Sequence, residues 1–545
     1  MRISSLGLLL AMGLLSGCSV LEGIYMPVAS EPLSKPATAG DTACNAPEPK
    51  DAPAYYLENL RDCTAPDSFV VFAFSGGGIR SASFGYGVLQ AAHATKIPDG
   101  TGTHPFDADI DIISGVSGGS YTAAAFASQR QKLFPDGKPD YYRDNFLTHN
   151  FFADLFSIYF APWHWKWMFP GYGTNDEMAK IYRKIDFSSP QDSLFAKDFG
   201  ELAKKGRPLL VVQATDFGNE QPFTFTQNDF DLICSDVDRY PVGNAVAASS
   251  AFPILFSPIQ LTNHHFTATA KDVKDFCHAH RAAWVDRVLD AGEPIELSRL
   301  YARAKAAETY LPRRDDRPRA ADVSLIAASP QYVHLQDGGV ADNIALRGLM
   351  NNMMQGVDAD SDGWSEASQV TACRAGLGRI RRILIVASDG MARPNNTVSQ
   401  LPYLSDFGLI LNVATSAAID ANSFETMLAT EAGAKWLAER LSRLSCGGET
   451  GGAVKSYFAR VSFENLDEAS TFDPAACGKS PGESCTLGDI ARSDTSLDFT
   501  APEVDALIAA GRSAFACNRK IGEYLRDADA GIDPSRLTCA PIKDK

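Results

Sequence analysis

Asp109-Ile110-Asp111-Ile112-Ile113-Ser114-Gly115-Val116-Ser117-Gly118-Gly119-Ser120-Tyr121-Thr122-Ala123-Ala124-Ala125-Phe126-Ala127 is the stretch from which the rest of the chain is best read. Its first five residues suit a strand and its last eight a helix of small residues, and between them stands the pentapeptide G-x-S-x-G at 115–119. Strand, tight turn and helix are the context of a nucleophile elbow, in which the turn lifts a serine hydroxyl clear of the backbone. The flanking Gly115 and Gly119 remove the Cβ clashes that such a turn creates. Ser117 is therefore the candidate nucleophile, set against the plainer reading of a glycine-serine turn without chemistry.

Outward from this stretch, other apolar runs without polar alternation suit strands buried on both faces. They are Phe69-Val70-Val71-Phe72-Ala73-Phe74, Pro208-Leu209-Leu210-Val211-Val212-Gln213 and Arg382-Ile383-Leu384-Ile385-Val386-Ala387. Helical segments at 84–95 and 341–355 lie between them, and the alternation predicts an α/β sandwich around a largely parallel sheet. Residues 19–67, rich in Pro, Ala, Ser and Glu, read as a tether that cannot form a core. Two segments look inserted. Residues 151–172 are dense in rings, either a lid or interfacial patch or core packing under a loop. Residues 262–325 are polar, Arg- and Ala-rich and helical, with a self-neutralising loop at 313–319. The chain after residue 400 reads as a helical, then loop-rich scaffold.

Two more stretches bear on chemistry. After the first apolar run comes Ser75-Gly76-Gly77-Gly78-Ile79-Arg80-Ser81, a glycine loop at a helix start whose free N–H groups can hold an anion. It lacks the Lys-Ser or Lys-Thr of a nucleotide loop, and Ser81 breaks the dinucleotide fingerprint, which leaves the oxyanion of a tetrahedral intermediate or a simple turn. Asp337-Gly338-Gly339-Val340-Ala341-Asp342-Asn343 puts a carboxylate where the backbone turns sharply, either as a surface turn or as a base for Ser117.

Together, in the chain order glycine loop at 76–80, G-x-S-x-G at 115–119 and Asp-Gly-Gly at 337–339, and with Ala247-Ala248-Ser249-Ser250-Ala251-Phe252-Pro253-Ile254-Leu255-Phe256 between the last two, these motifs resemble the patatin-like phospholipase family over residues 69 to about 390. The resemblance implies a three-layer sandwich and a dyad of Ser117 as nucleophile and Asp337 as base. It implies an oxyanion hole around Gly76, Gly77, Gly78 and Arg80, with Gly338 and Gly339 completing the Asp-Gly-Gly motif. It also implies a carboxylic ester hydrolase of the phospholipase A or lysophospholipase type, with no required cofactor. Ser75 and Ser81 depart from the acidic or glycine residues often found in the family. The rival is a Ser-Asp-His triad in that chain order, but no histidine follows His334. A non-catalytic envelope lipoprotein that uses the fold to bind lipid or a partner protein is the reading from a different class.

The formal charge of −16 argues against nucleic acid and against polybasic attachment to anionic lipid. Arg2, an apolar stretch at 6–15 and Leu15-Ser16-Gly17-Cys18 resemble a bacterial lipoprotein signal. That implies cleavage after residue 17, acylation of Cys18 and, with Ser19 following, the outer membrane. The domain plan is thus a signal at 1–17, a lipidated tether at 18–67, a catalytic domain at 68–400 with its insert at about 262–325, and an extension at 401–545. Eleven cysteines less Cys18 leave ten, for which sequential disulfides are the simplest pairing: 44–63, 234–277, 373–446, 477–485 and 517–539. Asp358, Asp360 and Asp362 precede Gly363 at EF-hand spacing, yet Gln369 stands where a bidentate Glu is expected, so a weak calcium site and an acidic loop both stay open. No protein partner is named by the sequence.

Overall fold

The protein is seen in a computed structural model, which describes residues 30–33, 55, 67–98, 102–134, 140–168, 172–185, 195, 197–204, 206–253, 255–279, 282–291, 298–312, 330–355, 373, 377–391, 407–446, 449–450, 452–492, 497–528, 539 and 541–543. The expected signal, Cys18, Cys44, Cys63, the loop at 313–319 and the acidic run at 358–363 lie outside the described residues.

The apolar runs form the centre of one eight-stranded sheet. In chain order its strands are β1 (Ser68–Phe74), β2 (Ile110–Val116), β3 (Leu209–Asp216), β4 (Gln221–Thr224), β5 (Ile259–Thr262), β6 (Tyr332–Gln336), β7 (Arg382–Asp389) and β8 (Lys455–Ser462). They lie in the order β8-β7-β1-β2-β3-β6-β5, with β4 paired to β3. The five strands from β8 to β3 are parallel, while at the other margin β6 and β4 pair antiparallel with β3 and β5 pairs antiparallel with β6. Strands β2 and β3 are buried at every residue, as strands covered on both faces are, including the polar Asp111, Ser114, Gln213, Thr215 and Asp216 among their apolar residues. Helices flank the sheet: α1 (Gly78–Ala94), α2 (Gly118–Leu133), α3 (Phe151–Phe160), α4 (Thr174–Lys184), α5 (Val242–Ser249), α6 (Ala283–Ala291), α7 (Ser298–Ala307), α8 (Arg347–Gln355), α9 (Phe407–Ser442), α10 (Ala501–Ala516) and α11 (Arg519–Ala528). The result is the expected three-layer α/β sandwich. No helix among the described residues is long and apolar enough to cross a membrane.

The boundary expected at residue 400 does not separate two bodies. Strand β8 pairs with β7 along its whole length, and α10 lies directly against α1. A Cβ on Gly87 would sit 2.1 Å from the Ile508 carbonyl oxygen and one on Gly511 2.0 Å from that of Phe84, so these two glycines let the helix backbones touch. Lys455 and Arg460 interrupt the apolar character of β8, and charges of this kind suit an edge strand.

The tether also departs from expectation, because two parts of it are held by the body. Glu31 and Pro32 pair with Asp236 and Ser235, and Leu33 is buried with Cys234 and Cys277. Tyr55 is buried in the main core, its hydroxyl donating 2.8 Å to the Leu210 carbonyl. The segment at 262–325 carries its own small core of Trp284, Val285, Leu289, Leu300 and Leu311. It is fixed to the sheet margin by a buried ion pair of Arg303 with Asp229. Disulfides join Cys234 to Cys277, Cys373 to Cys446, Cys477 to Cys485 and Cys517 to Cys539, as the sequential pairing predicts.

Candidate active site

The G-x-S-x-G turn connects β2 to α2, and Ser117 occupies it with φ 49° and ψ −125°. A non-glycine residue in that region is strained, and the surroundings must hold it there. They do so through glycines that let backbones meet. A Cβ on Gly118 would lie 2.0 Å from the Gly78 carbonyl oxygen, and one on Gly119 2.3 Å from that of Phe74. The elbow is thus pressed against the end of β1 and the glycine loop. Ser249, the last residue of α5, adds a clamp: its hydroxyl accepts from the Ser117 amide at 2.8 Å and donates to the Gln213 carbonyl at 2.6 Å.

Asp337 follows β6, which pairs antiparallel with only the last residues of β3, Gln336 opposite Thr215, so β6 ends at the elbow end of the sheet, where Val116 lies opposite Gln213. Its own amide donates to the Ala251 carbonyl and that of Gly338 to the Ser249 carbonyl, both at 3.0 Å. The Thr215 hydroxyl donates 2.7 Å to the Asp337 carbonyl. Gly338 is held so close that a Cβ there would be 2.3 Å from the Gln213 carbonyl oxygen. Within this frame the Ser117 hydroxyl donates to Asp337 Oδ2 at 2.9 Å, across 220 residues of sequence. The other carboxylate oxygen accepts the Gly339 amide at 2.8 Å, which fixes the plane of the carboxyl group. Burial pushes the Asp337 carboxyl up to about 6, against the opposing pull of the Gly339 amide and the Ser117 hydroxyl. His334 is exposed on β6, and no histidine stands between Ser117 and Asp337.

The glycine loop divides by role. Gly77 and Gly78 have φ of 131° and 60°, values that favour glycine, and they turn the chain from β1 into α1. Among the described residues their amides have no acceptor, nor has that of Gly118 at the start of α2. Three unclaimed N–H groups at two helix starts beside a serine hydroxyl can receive a developing negative charge. Gly76 does not join them, because its amide donates 3.0 Å to the Asn343 carbonyl. The Arg80 side chain also departs from expectation. It is fully buried, its guanidinium donates to the Met391 carbonyl and lies over the Phe463 ring, so it braces α1 against the chain leaving β7. Ser75 and Ser81 do similar work: the Gly390 amide donates to Ser75 Oγ at 3.0 Å, and Ser81 Oγ to the Ser75 carbonyl at 2.6 Å.

Sequence reasoning passed over three contributors. In the sequence Gly118 reads only as part of the turn, Ser249 only as part of the block at 247–256, and Asn343 only as the end of the Asp-Gly-Gly stretch. A Cβ on Gly76 would be 2.1 Å from Asn343 Oδ1 and 3.3 Å from Ser117 Cβ, so the Asn343 amide group borders the glycine loop next to the serine. The chemistry this arrangement can perform is proton transfer from a strained serine to a fixed carboxylate, with donors ready for an oxyanion.

A three-layer α/β sandwich with a serine on a strand-to-helix elbow, its hydroxyl bonded to a buried carboxylate, is the frame of a serine hydrolase. Residues 72–286 match the model of the patatin-like phospholipase family, a family of lipid-hydrolysing enzymes. The match takes in the glycine loop, the elbow and Ser249 and ends within α6, before Asp337, whose place is given by the geometry above. No curated protein matches the chain.

Proposed function

We propose that the protein is an exported, lipid-anchored serine acyl hydrolase that cleaves fatty-acyl esters of glycerolipids, of the phospholipase A or lysophospholipase type. The observation that carries this reading is the 2.9 Å hydrogen bond from Ser117 to Asp337 inside the elbow. Ser117 Oγ attacks the ester carbonyl carbon while its proton passes to Asp337. The carbonyl oxygen takes up the electron pair and is held by the amides of Gly77 and Gly78, and Gly118 stands where a third donor is needed. Collapse of the tetrahedral intermediate expels the alcohol, which receives the proton from Asp337, and leaves an acyl group on Ser117. Water then attacks that ester, giving its proton to Asp337; the second tetrahedral intermediate collapses, Asp337 returns the proton to the departing Ser117 Oγ, and the fatty acid leaves. Every proton has a named carrier, and no metal or cofactor takes part.

The experiment is incubation of the purified protein with phosphatidylcholine vesicles, with and without a chelator, followed by mass analysis of the lipids. Fatty acid and lysophospholipid appear together, at the same rate in both arms. Failure to release either, or arrest by the chelator, would sink the reading.

The envelope location is proposed from the lipobox ending at Cys18 and the proline-rich stretch behind it. Substituting Cys18→Ser moves the protein from the membrane fraction to the soluble fraction. Retention in the membrane fraction would count against acylation at that residue.

A further inference from the structure

The ring-dense segment carries its apolar residues on the wrong side for a water-soluble surface. Helix α3 buries Phe151, Leu155 and Ile158 against the body, as an amphipathic helix does. Its opposite stripe, however, is Phe152, Phe156 and Phe160, each four residues from the next and each more than half exposed. The turn that follows continues the stripe with Trp163, 73% exposed, and Met168, 64% exposed. This crest is built, not loose. Asn150 caps α3 by accepting the Ala153 amide at 2.8 Å. Trp165 and Trp167 donate to the Tyr159 and Ile158 carbonyls at 3.1 and 2.9 Å, closing the end of α3, and the Phe156 and Phe160 rings pack together at 4.4 Å.

The crest is continuous with the site. The Tyr159 hydroxyl donates 2.7 Å to the Leu255 carbonyl, in the segment whose other end holds the Ser117 amide and the Asp337 backbone. That segment exposes Phe252 and Leu255, and Val340, three residues past Asp337, is half exposed. Apolar surface thus runs from the crest to the residues that hold the dyad. Singly exposed apolar residues are ordinary, but a contiguous ridge of Phe, Trp and Met is a surface that meets something apolar. Its aromatic composition matches the zone between lipid headgroups and chains.

We infer that this crest is an interfacial docking surface that seats the active-site side of the protein on a bilayer of zwitterionic phospholipid. The inference rests on the hydrolase reading for its choice of occupant. A substrate buried in a bilayer must leave it beside the serine, and the crest is the apolar surface joined to that place. With a net charge of −16, insertion of rings and not attraction to anionic headgroups supplies the attachment, so zwitterionic lipid suffices and salt has little effect.

The test compares the full chain with its Phe156→Ser/Phe160→Ser/Trp163→Ser variant, the N-terminus being the same in both. For each protein, fatty-acid release from phosphatidylcholine vesicles is divided by p-nitrophenol release from a dissolved short acyl ester. The ratio falls by about tenfold or more in the variant. In the wild type, brominated acyl chains quench tryptophan fluorescence, and the quenching persists in about 0.5 M salt. An unchanged ratio, or a wild type whose tryptophans the brominated lipid does not quench, overturns the inference. So does a wild-type dimer that the substitutions split while vesicle hydrolysis stays the same, which assigns the crest to a second copy of the chain. The quenching measurement decides if the variant fails to fold. It also separates the two readings: a wild type that hydrolyses neither substrate yet is quenched loses the hydrolase and keeps the crest.

Discussion

Replacing Ser117 by alanine cuts p-nitrophenol release from a short acyl ester by about 10⁴-fold or more, the scale seen when a nucleophile that works with a base is removed. The fold should survive the change. Alanine at φ 49° is no more strained than serine, and the clamps on this residue use its backbone: the amide donates to Ser249 and the carbonyl accepts from the Ser120 amide at 3.0 Å. Only the hydroxyl and its bond to Asp337 are lost. The same substitution separates the two classes of function. A scaffold that binds lipid or a partner protein would give equal rates with and without the hydroxyl, and that outcome would end the catalytic account.

How far the site could be read from sequence depended on whether a residue acts through local backbone or through a distant contact. The elbow and the glycine loop are local: each is a strand end, a run of glycines and a helix start, and each appears where the pattern puts it. The parallel strands were legible for a related reason, since burial on both faces leaves an unbroken apolar run that few other structures require. Ser249 is different. It reaches Ser117 across 132 residues, and nothing in a Ser-Ser pair at a helix end says which hydroxyl will hold a backbone amide. Arg80 misled because a basic residue next to a glycine loop suggests an anion partner, whereas its guanidinium is spent on a carbonyl 311 positions away. Strand β8 escaped because a half-exposed edge strand alternates, and its charged residues read as helix or loop. Residues 30–33 and Tyr55 escaped because short contacts inside a proline-rich stretch leave no periodicity at all.

Replacing Asp337 by asparagine lowers turnover by about 10⁴-fold, and it also changes how stability varies with pH. The asparagine carbonyl can still accept the Gly339 amide, but its NH₂ then faces Ser117 Oγ as a donor and cannot take the proton. In the wild type, kcat/KM rises about tenfold per pH unit below the Asp337 pKa of about 6 and levels above it, because only the ionised carboxylate is a base. The residual rate of the variant lacks this inflection. The sign of the stability effect follows from linkage. Between the ordinary value of 3.8 and about 6, the folded protein keeps a proton that the unfolded chain has released, so stability falls as pH rises through that window and stays low above it. The total is about 3 kcal/mol, from roughly two units at 1.36 kcal/mol each. Asparagine does not titrate, so the thermal midpoint of the variant gains on the wild type from pH 4 to pH 6 and keeps that gain at pH 8. His334→Ala is the control, for an exposed ring outside the dyad should move neither the rate nor the pH profile. Should His334→Ala abolish turnover, or should Asp337→Asn leave both the rate and the inflection at pH 6 intact, the proton would be travelling by a route that does not pass through this carboxylate.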